Sequence, residues 1–181
     1  MKRIFLFLTA ISLIASCKEE KKPEETAAAP AASDNSVTVK MSYTPSYSAS
    51  FKMGNADYAA KVVQGSWKDW ETNNIDNLKN WVADSIVVHQ ANNTIIKGVD
   101  SLIANWKRGR AGYTSVEVTI NAVAPLYSTD QLHDWVLVAA TEIDVNTKGV
   151  RDTVALMENW RFNKDGKADM LLQYDRRTKK P

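Results

Sequence analysis

The sequence predicts an α+β domain in which helices pack on a curved antiparallel, or mixed, sheet. Three observations predict it. Helical spacing is confined to the first half of the domain, from Ala56 to Arg110. Four long strand-like runs then follow one another: YTSVEVTINAVAPLYS, HDWVLVAATEIDVN, VRDTVALMENWRFN and KADMLLQYDRR. The joints NTKG and NKDG between the last three carry hairpin turn chemistry. Helices gathered on one face of such a sheet bury both their stripes and the sheet's inner face. Long, curved strands capped by helices leave a cone with a cavity at its wide end.

The elements follow in order from residue 55. ADYAAKVVQGSWKDWETNN places Ala59, Val62, Val63, Ser66, Trp70 and Asn73 at helical spacing, which predicts a long amphipathic helix ended by the two asparagines. IDNLKNWV aligns Ile75, Leu78 and Val82 on one face of a second, short helix. DSIVVHQ reads as a strand and NTIIKG as its hairpin partner. Asp100 and Ser101 open a third helix, LIANWKRGR, which closes on basic residues and Gly109. The four long strands complete the domain at Arg177, and residues 178–181 are a tail.

Residues 1–54 have another texture. MKRIFLFLTAISLIASC has two basic residues, an apolar run from Ile4 to Ile14, and a small-residue ending before Cys17. This is the layout of a signal peptide over residues 1–16, too short an apolar run to span a bilayer. Its ending resembles a bacterial lipobox. That resemblance implies cleavage before Cys17 and acylation of its thiol, so that the protein's first partner is a membrane, held through the lipid on Cys17. Lys18 follows instead of the aspartate that retains lipoproteins at the inner membrane. The expected location is therefore the cell envelope, on the outer membrane, facing the periplasm or the cell surface. KEEKK after the cysteine resembles a surface-export tag and reads equally as a solvated start to a tether. KPEETAAAPAASDNS cannot build a core; residues 17–54 are expected to be the acylated Cys and a flexible tether, of which residues 18 to about 50 are expected to be dispensable for folding. Within it, the alternation of Val37, Val39 and Met41 could make a stray strand.

Composition excludes several function classes. There are 23 Lys and Arg against 21 Asp and Glu, and Lys2 and Arg3 are the excess, so the domain has no electrostatic footprint for nucleic acid. The single cysteine excludes an intrachain disulfide and a Cys-rich metal site. No Gly-rich phosphate loop, zinc-ligand spacing or serine nucleophile elbow is present. Neither a cofactor nor a metal is expected.

The element order resembles the nuclear transport factor 2-like superfamily, which includes SnoaL-type polyketide cyclases and ketosteroid isomerases. VVQ in the first helix, ADSIVVH at the entry to the first strand, and MENWRFNKDGK across the last hairpin carry the resemblance. It spans residues 55–177 and implies three N-terminal helices on a curved sheet. The ketosteroid isomerase comparison implies a general base where His89 stands, a protonated oxyanion-hole acid where Glu158 stands, and a tyrosine where Ser66 stands. A serine hydroxyl is a weaker acid and projects less far, which argues against steroid isomerisation.

The residues themselves point to the same pocket. Val154, Leu156, Glu158, Trp160 and Phe162 share one strand face, and an acid among such neighbours is either turned to water or buried in a cavity. A buried acid keeps its proton and can donate a hydrogen bond. His89, in phase with Val87 and Ser85, either caps its strand or accepts protons in the cavity. Glu158 could instead pair with Arg161 or Arg176. Trp70, Trp106, Trp160 and Phe162 are the expected pocket-lining aromatics, and KRGR is read as a solvated helix end. Three functions follow: a binding module for a small apolar or amphipathic ligand or a protein partner, an enzyme with His89 as base and Glu158 as acid on a carbonyl compound, or a structural part of an envelope assembly. The open sheet face is the expected surface for a homodimer.

Overall fold

The computed structural model describes residues 37–177; the signal peptide, Cys17, the first part of the tether and the tail lie outside the described residues. The first helical run is α1 (Ala56–Val62), a π-helical stretch (Val63–Lys68) and α2 (Asp69–Thr72). A 3-10 helix (Ile75–Asn80) follows, then β3 (Val82–His89), β4 (Ile95–Lys97) and α3 (Val99–Arg110). The long strands are β5 (Tyr113–Ser128), β6 (His133–Asn146), β7 (Arg151–Phe162) and β8 (Ala168–Arg177). Ahead of the first helix stand two short strands, β1 (Val37–Thr38) and β2 (Ser50–Met53).

All eight strands form one sheet in the order β1-β2-β5-β6-β7-β8-β3-β4. Only β3 and β8 run parallel; every other neighbouring pair is antiparallel. The sheet is thus mixed, and the sequence's α+β reading holds. Asparagines shape its joints. Asn163 Oδ1 accepts from the backbone N–H of Asp165 and Lys167 while Gly166 takes φ 70°, a conformation that favours glycine.

The domain begins earlier than expected. Phe51 pairs with Ser128 and Val37 with Phe51, so the end of the expected tether adds two strands to the sheet. Polar contacts fasten it: Asp130 accepts from the Ser48 hydroxyl at 2.6 Å and the Ala49 N–H at 2.8 Å, and Tyr47 packs edge-on against Trp135 at 5.5 Å. The expectation of a flexible tether up to residue 54 is corrected where β1 and β2 join the sheet. Hydrogen bonds, rather than apolar alternation, hold this segment, so its hydropathy conceals it.

The core lies between the helices and the inner sheet face. Val62, Leu78, Ile86, Val88, Leu102, Val136, Val138, Trp160 and Leu171 are almost fully buried there. The π stretch alters the first helix from the expected pattern. Three consecutive residues of this stretch, Gly65, Ser66 and Trp67, are buried. Asn73 ends the run in the left-handed conformation at φ 62°.

Candidate functional site

A cavity of about 190 Å³ opens between the first helical run, α3 and the inner face of β5 to β8. The helices give it Ser66, Trp67, Trp70 and Trp106; the strands give it Glu142, Leu156, Glu158 and Gln173. Alternation in β7 places Leu156 and Glu158 on the same side as Trp160 and Phe162.

Glu158 is the best-defined group of the site. It is 3% exposed, and its two oxygens accept from the Trp160 indole N–H and the Gln173 amide, each at 2.9 Å. Burial pushes its carboxyl up to about 7, against the opposing pull of these bonds and of the Ser66 hydroxyl. The structure thus brings together Glu158 and Ser66, as well as Trp70 and Trp106. The alternative pairing of Glu158 with an arginine does not occur. Arg161 lies on the opposite face of β7 and makes a two-bond ion pair with Asp169 at 2.8 and 3.1 Å.

Three expectations are corrected. His89 does not line this cavity. In β3 the inward residues are Ile86 and Val88, both fully buried, so His89 takes the outer face with Val87. It pairs across the sheet with Leu172, while Glu158 pairs with Gln173, one residue and therefore one face away. His89 borders an adjoining depression with Tyr47 and Tyr174, which shares Gln90, Gln173 and Asp175 with the cavity; the β3-end residue that lines the cavity is Gln90. Trp160 and Phe162 are the second correction. Both lie deeper than the cavity, in the core, where Phe162 stacks on Tyr58 at 4.3 Å and Trp160 packs on Trp81 at 5.0 Å. The third concerns KRGR. Arg110 is not solvated at the helix end; its guanidinium donates to the carbonyls of Trp70, Glu71 and Tyr113 at 2.9 to 3.1 Å, tying α3 to α2 and β5.

Sequence reasoning missed a second acidic centre. Glu142 and Asp144 on β6 are 7% and 2% exposed. Burial, and then the neighbouring Asp144 carboxylate, push Glu142 up; the Asp144 carboxyl is raised by burial as well. The two carboxyls act on one another: the charge and hydrogen bonding of Asp144 raise Glu142, and Glu142 draws Asp144 down against its burial. The signal was present: Val136, Val138 and Ala140 face inward, and Glu142 and Asp144 continue the same phase. Tyr113, Asp175 and Arg177 complete the rim, with Arg177 bound to Asp175 at 3.0 Å. Among the described residues no group of His, Cys, Asp and Glu is arranged to hold a metal ion.

No family model matches the sequence, and no curated protein matches it. Solved structures do. A putative SnoaL-like polyketide cyclase from Shewanella denitrificans superposes with a TM-score of 0.54 at 12% identity, over 65% of this chain and 90% of that one. A Mycobacterium tuberculosis protein in complex with estradiol-17beta-hemisuccinate gives a TM-score of 0.53 at 17% identity, over 65% and 92%. A Catenulispora acidiphila protein with a ketosteroid isomerase-like fold, in complex with trimethylamine, gives 0.53 at 16% identity, over 63% and 84%. At these identities the likeness speaks for architecture and not for chemistry. This chain has the nuclear transport factor 2-like fold.

Proposed function

We propose that the protein is an envelope lipoprotein whose domain binds a small amphipathic molecule in the cone cavity, without turning it over. The observation that carries the reading is the cavity's two-sided wall: indole rings from the helices, hydrogen-bonding groups from the sheet. Glu158, held by two fixed donors, is built to stay in place. The catalytic alternative loses its base, since His89 stands on the other face of the sheet. Similar folds that hold trimethylamine or estradiol-17beta-hemisuccinate support a ligand-binding reading. Lipid attachment at Cys17 and an outer-membrane location belong to this proposal, as does a homodimer through the outer sheet face. That face leaves Met157 and Tyr174 half exposed, and sedimentation of the full chain tests it.

Calorimetric titration of the full chain with a panel of short amphiphiles tests the cavity. A side chain added at Gly109 would first meet the Trp70 ring at 3.7 Å, so Gly109→Phe grows into the cavity without a clash at its root. Saturable one-to-one binding by the native chain, lost in Gly109→Phe with the thermal melt unchanged, is the expected result. Binding that ignores the plug, or no binding by any amphiphile, refutes the reading.

A further inference from the structure

We propose that the cavity is selective for a small organic cation, an alkylammonium group held between indole rings and carboxylates. This rests on the ligand-binding reading above and names the class of ligand.

The first support is the balance of charge along the wall. Glu142, Glu158 and Asp175 reach the cavity, and Arg177 is the only Lys or Arg among its described lining residues. Arg177 is already engaged, by Asp175 at 3.0 Å and Asp152 at 3.7 Å. Arg110, at the end of α3, donates to three backbone carbonyls and not to an acid. Glu142 and Glu158 therefore have no basic partner among the described residues. Glu158 meets only neutral groups among the described residues, the N–H groups of Trp160 and Gln173 and the Ser66 hydroxyl. Buried carboxylates without a counter-charge are costly, and a cation entering the cavity removes that cost.

The second support is the opposite wall. Trp67, Trp70 and Trp106 line it, and the rings of Trp70 and Trp106 meet at 73° with centroids 5.9 Å apart. These indoles bring aromatic surface to the cavity, and the face of an indole is the strongest aromatic partner for a cation. A third observation points to a polar appendage on the ligand. Trp67 is 4% exposed, and its indole N–H has no partner among the described residues, leaving a donor for a hydroxyl. The cavity has the volume of about six waters, which suits an ammonium of a few carbons.

Binding is coupled to protons. Burial raises Glu142 and Glu158, and Asp144 beside Glu142 adds to its share. The other charged or titratable groups facing this region are Tyr113, Asp175, Arg177 and Arg110. A cation between the two glutamates lowers both, so it displaces their protons near neutral pH.

Choline and its uncharged analogue 3,3-dimethylbutan-1-ol form the test, since they share shape and hydroxyl and differ in charge. In calorimetry on the full chain, choline should bind about tenfold or more tightly than the alcohol. Its apparent heat should change with the buffer's ionisation heat, reporting proton release. Glu142→Gln and Glu158→Gln should each weaken choline about tenfold and move the alcohol by less than about twofold. Trp70→Leu, at a half-buried position, should weaken choline in the same way if a Gln variant folds poorly. Equal affinity for both probes, indifference to all three substitutions, or no choline binding at millimolar concentration overturns the cation assignment. Binding of the alcohol alone overturns it while leaving the ligand-binding reading standing.

Discussion

Glu158 sits between two donors and inside a desolvating shell, and the shell wins. Its folded pKa of about 7 lies above the ordinary 4.5, so the folded state holds a proton that the unfolded state has released between these two values. Stability therefore falls as pH rises from 4.5 to about 7, and the loss is constant above that. The size of the effect is about 3 kcal/mol. Urea denaturation at pH 5 and pH 8 should show a drop in the native chain that shrinks by about this amount in Glu158→Gln. An undiminished drop would place the pH dependence elsewhere, on Glu142 and Asp144. Glu158 was legible because the residues flanking it in phase, Leu156 and Trp160, are apolar and fix which face it takes. His89 was not. Ile86, Val87 and Val88 are apolar on both faces of β3, so alternation gives no phase there, and only the pairing with β8 decides it.

Two elements carry more of the fold than their hydropathy suggests. The π stretch sets Gly65 against Trp81, where an added Cβ would lie 2.4 Å from the indole nitrogen. Gly65→Ala should therefore overpack the helix against the core and destabilise the domain by about 1–3 kcal/mol in urea. A neutral result would mean that the helix can shift outward and that Ser66 and Trp67 are not fixed in the cavity wall. The strap formed by β1 and β2 is held by the β2–β5 ladder, by Thr129 on Ser50, and by one carboxylate. The Ala49 N–H, then the Ser48 and Ser128 hydroxyls, hold Asp130 well below its ordinary 3.8. The sign is opposite to that of Glu158: this stabilisation is present above the ordinary pKa and is lost only in strong acid. Asp130→Ala should release the strap at neutral pH, lowering the melting temperature and opening residues 37–53 to limited proteolysis. A protease map identical to that of the native chain would show that the β2–β5 ladder and the Tyr47–Trp135 contact suffice.

At the scale of the molecule, the sheet and its helices were readable because burial writes itself into periodicity, whereas the strap is joined by serine, threonine and aspartate, which read as linker. The consequence is mechanical. If Cys17 carries a lipid, the domain's attachment to the bilayer enters through β1 and β2 at the edge of the sheet beside β5. The described domain then begins at Val37, ahead of the start at residue 55 that composition suggested. Cys17→Ser tests the anchor. Several acyl chains, each contributing about 0.8 kcal/mol per buried methylene, hold a protein on a membrane where a bare chain has no such hold. The native protein should appear in the detergent-soluble membrane fraction, with a mass at its N-terminus that reports acylated Cys17. The variant should accumulate as the longer, unacylated precursor. Its domain should melt at the same temperature as the native one, because the strap and cavity lie downstream of the substitution. An unmodified mature N-terminus at any other residue of the native protein would refute the anchor and leave the domain as described.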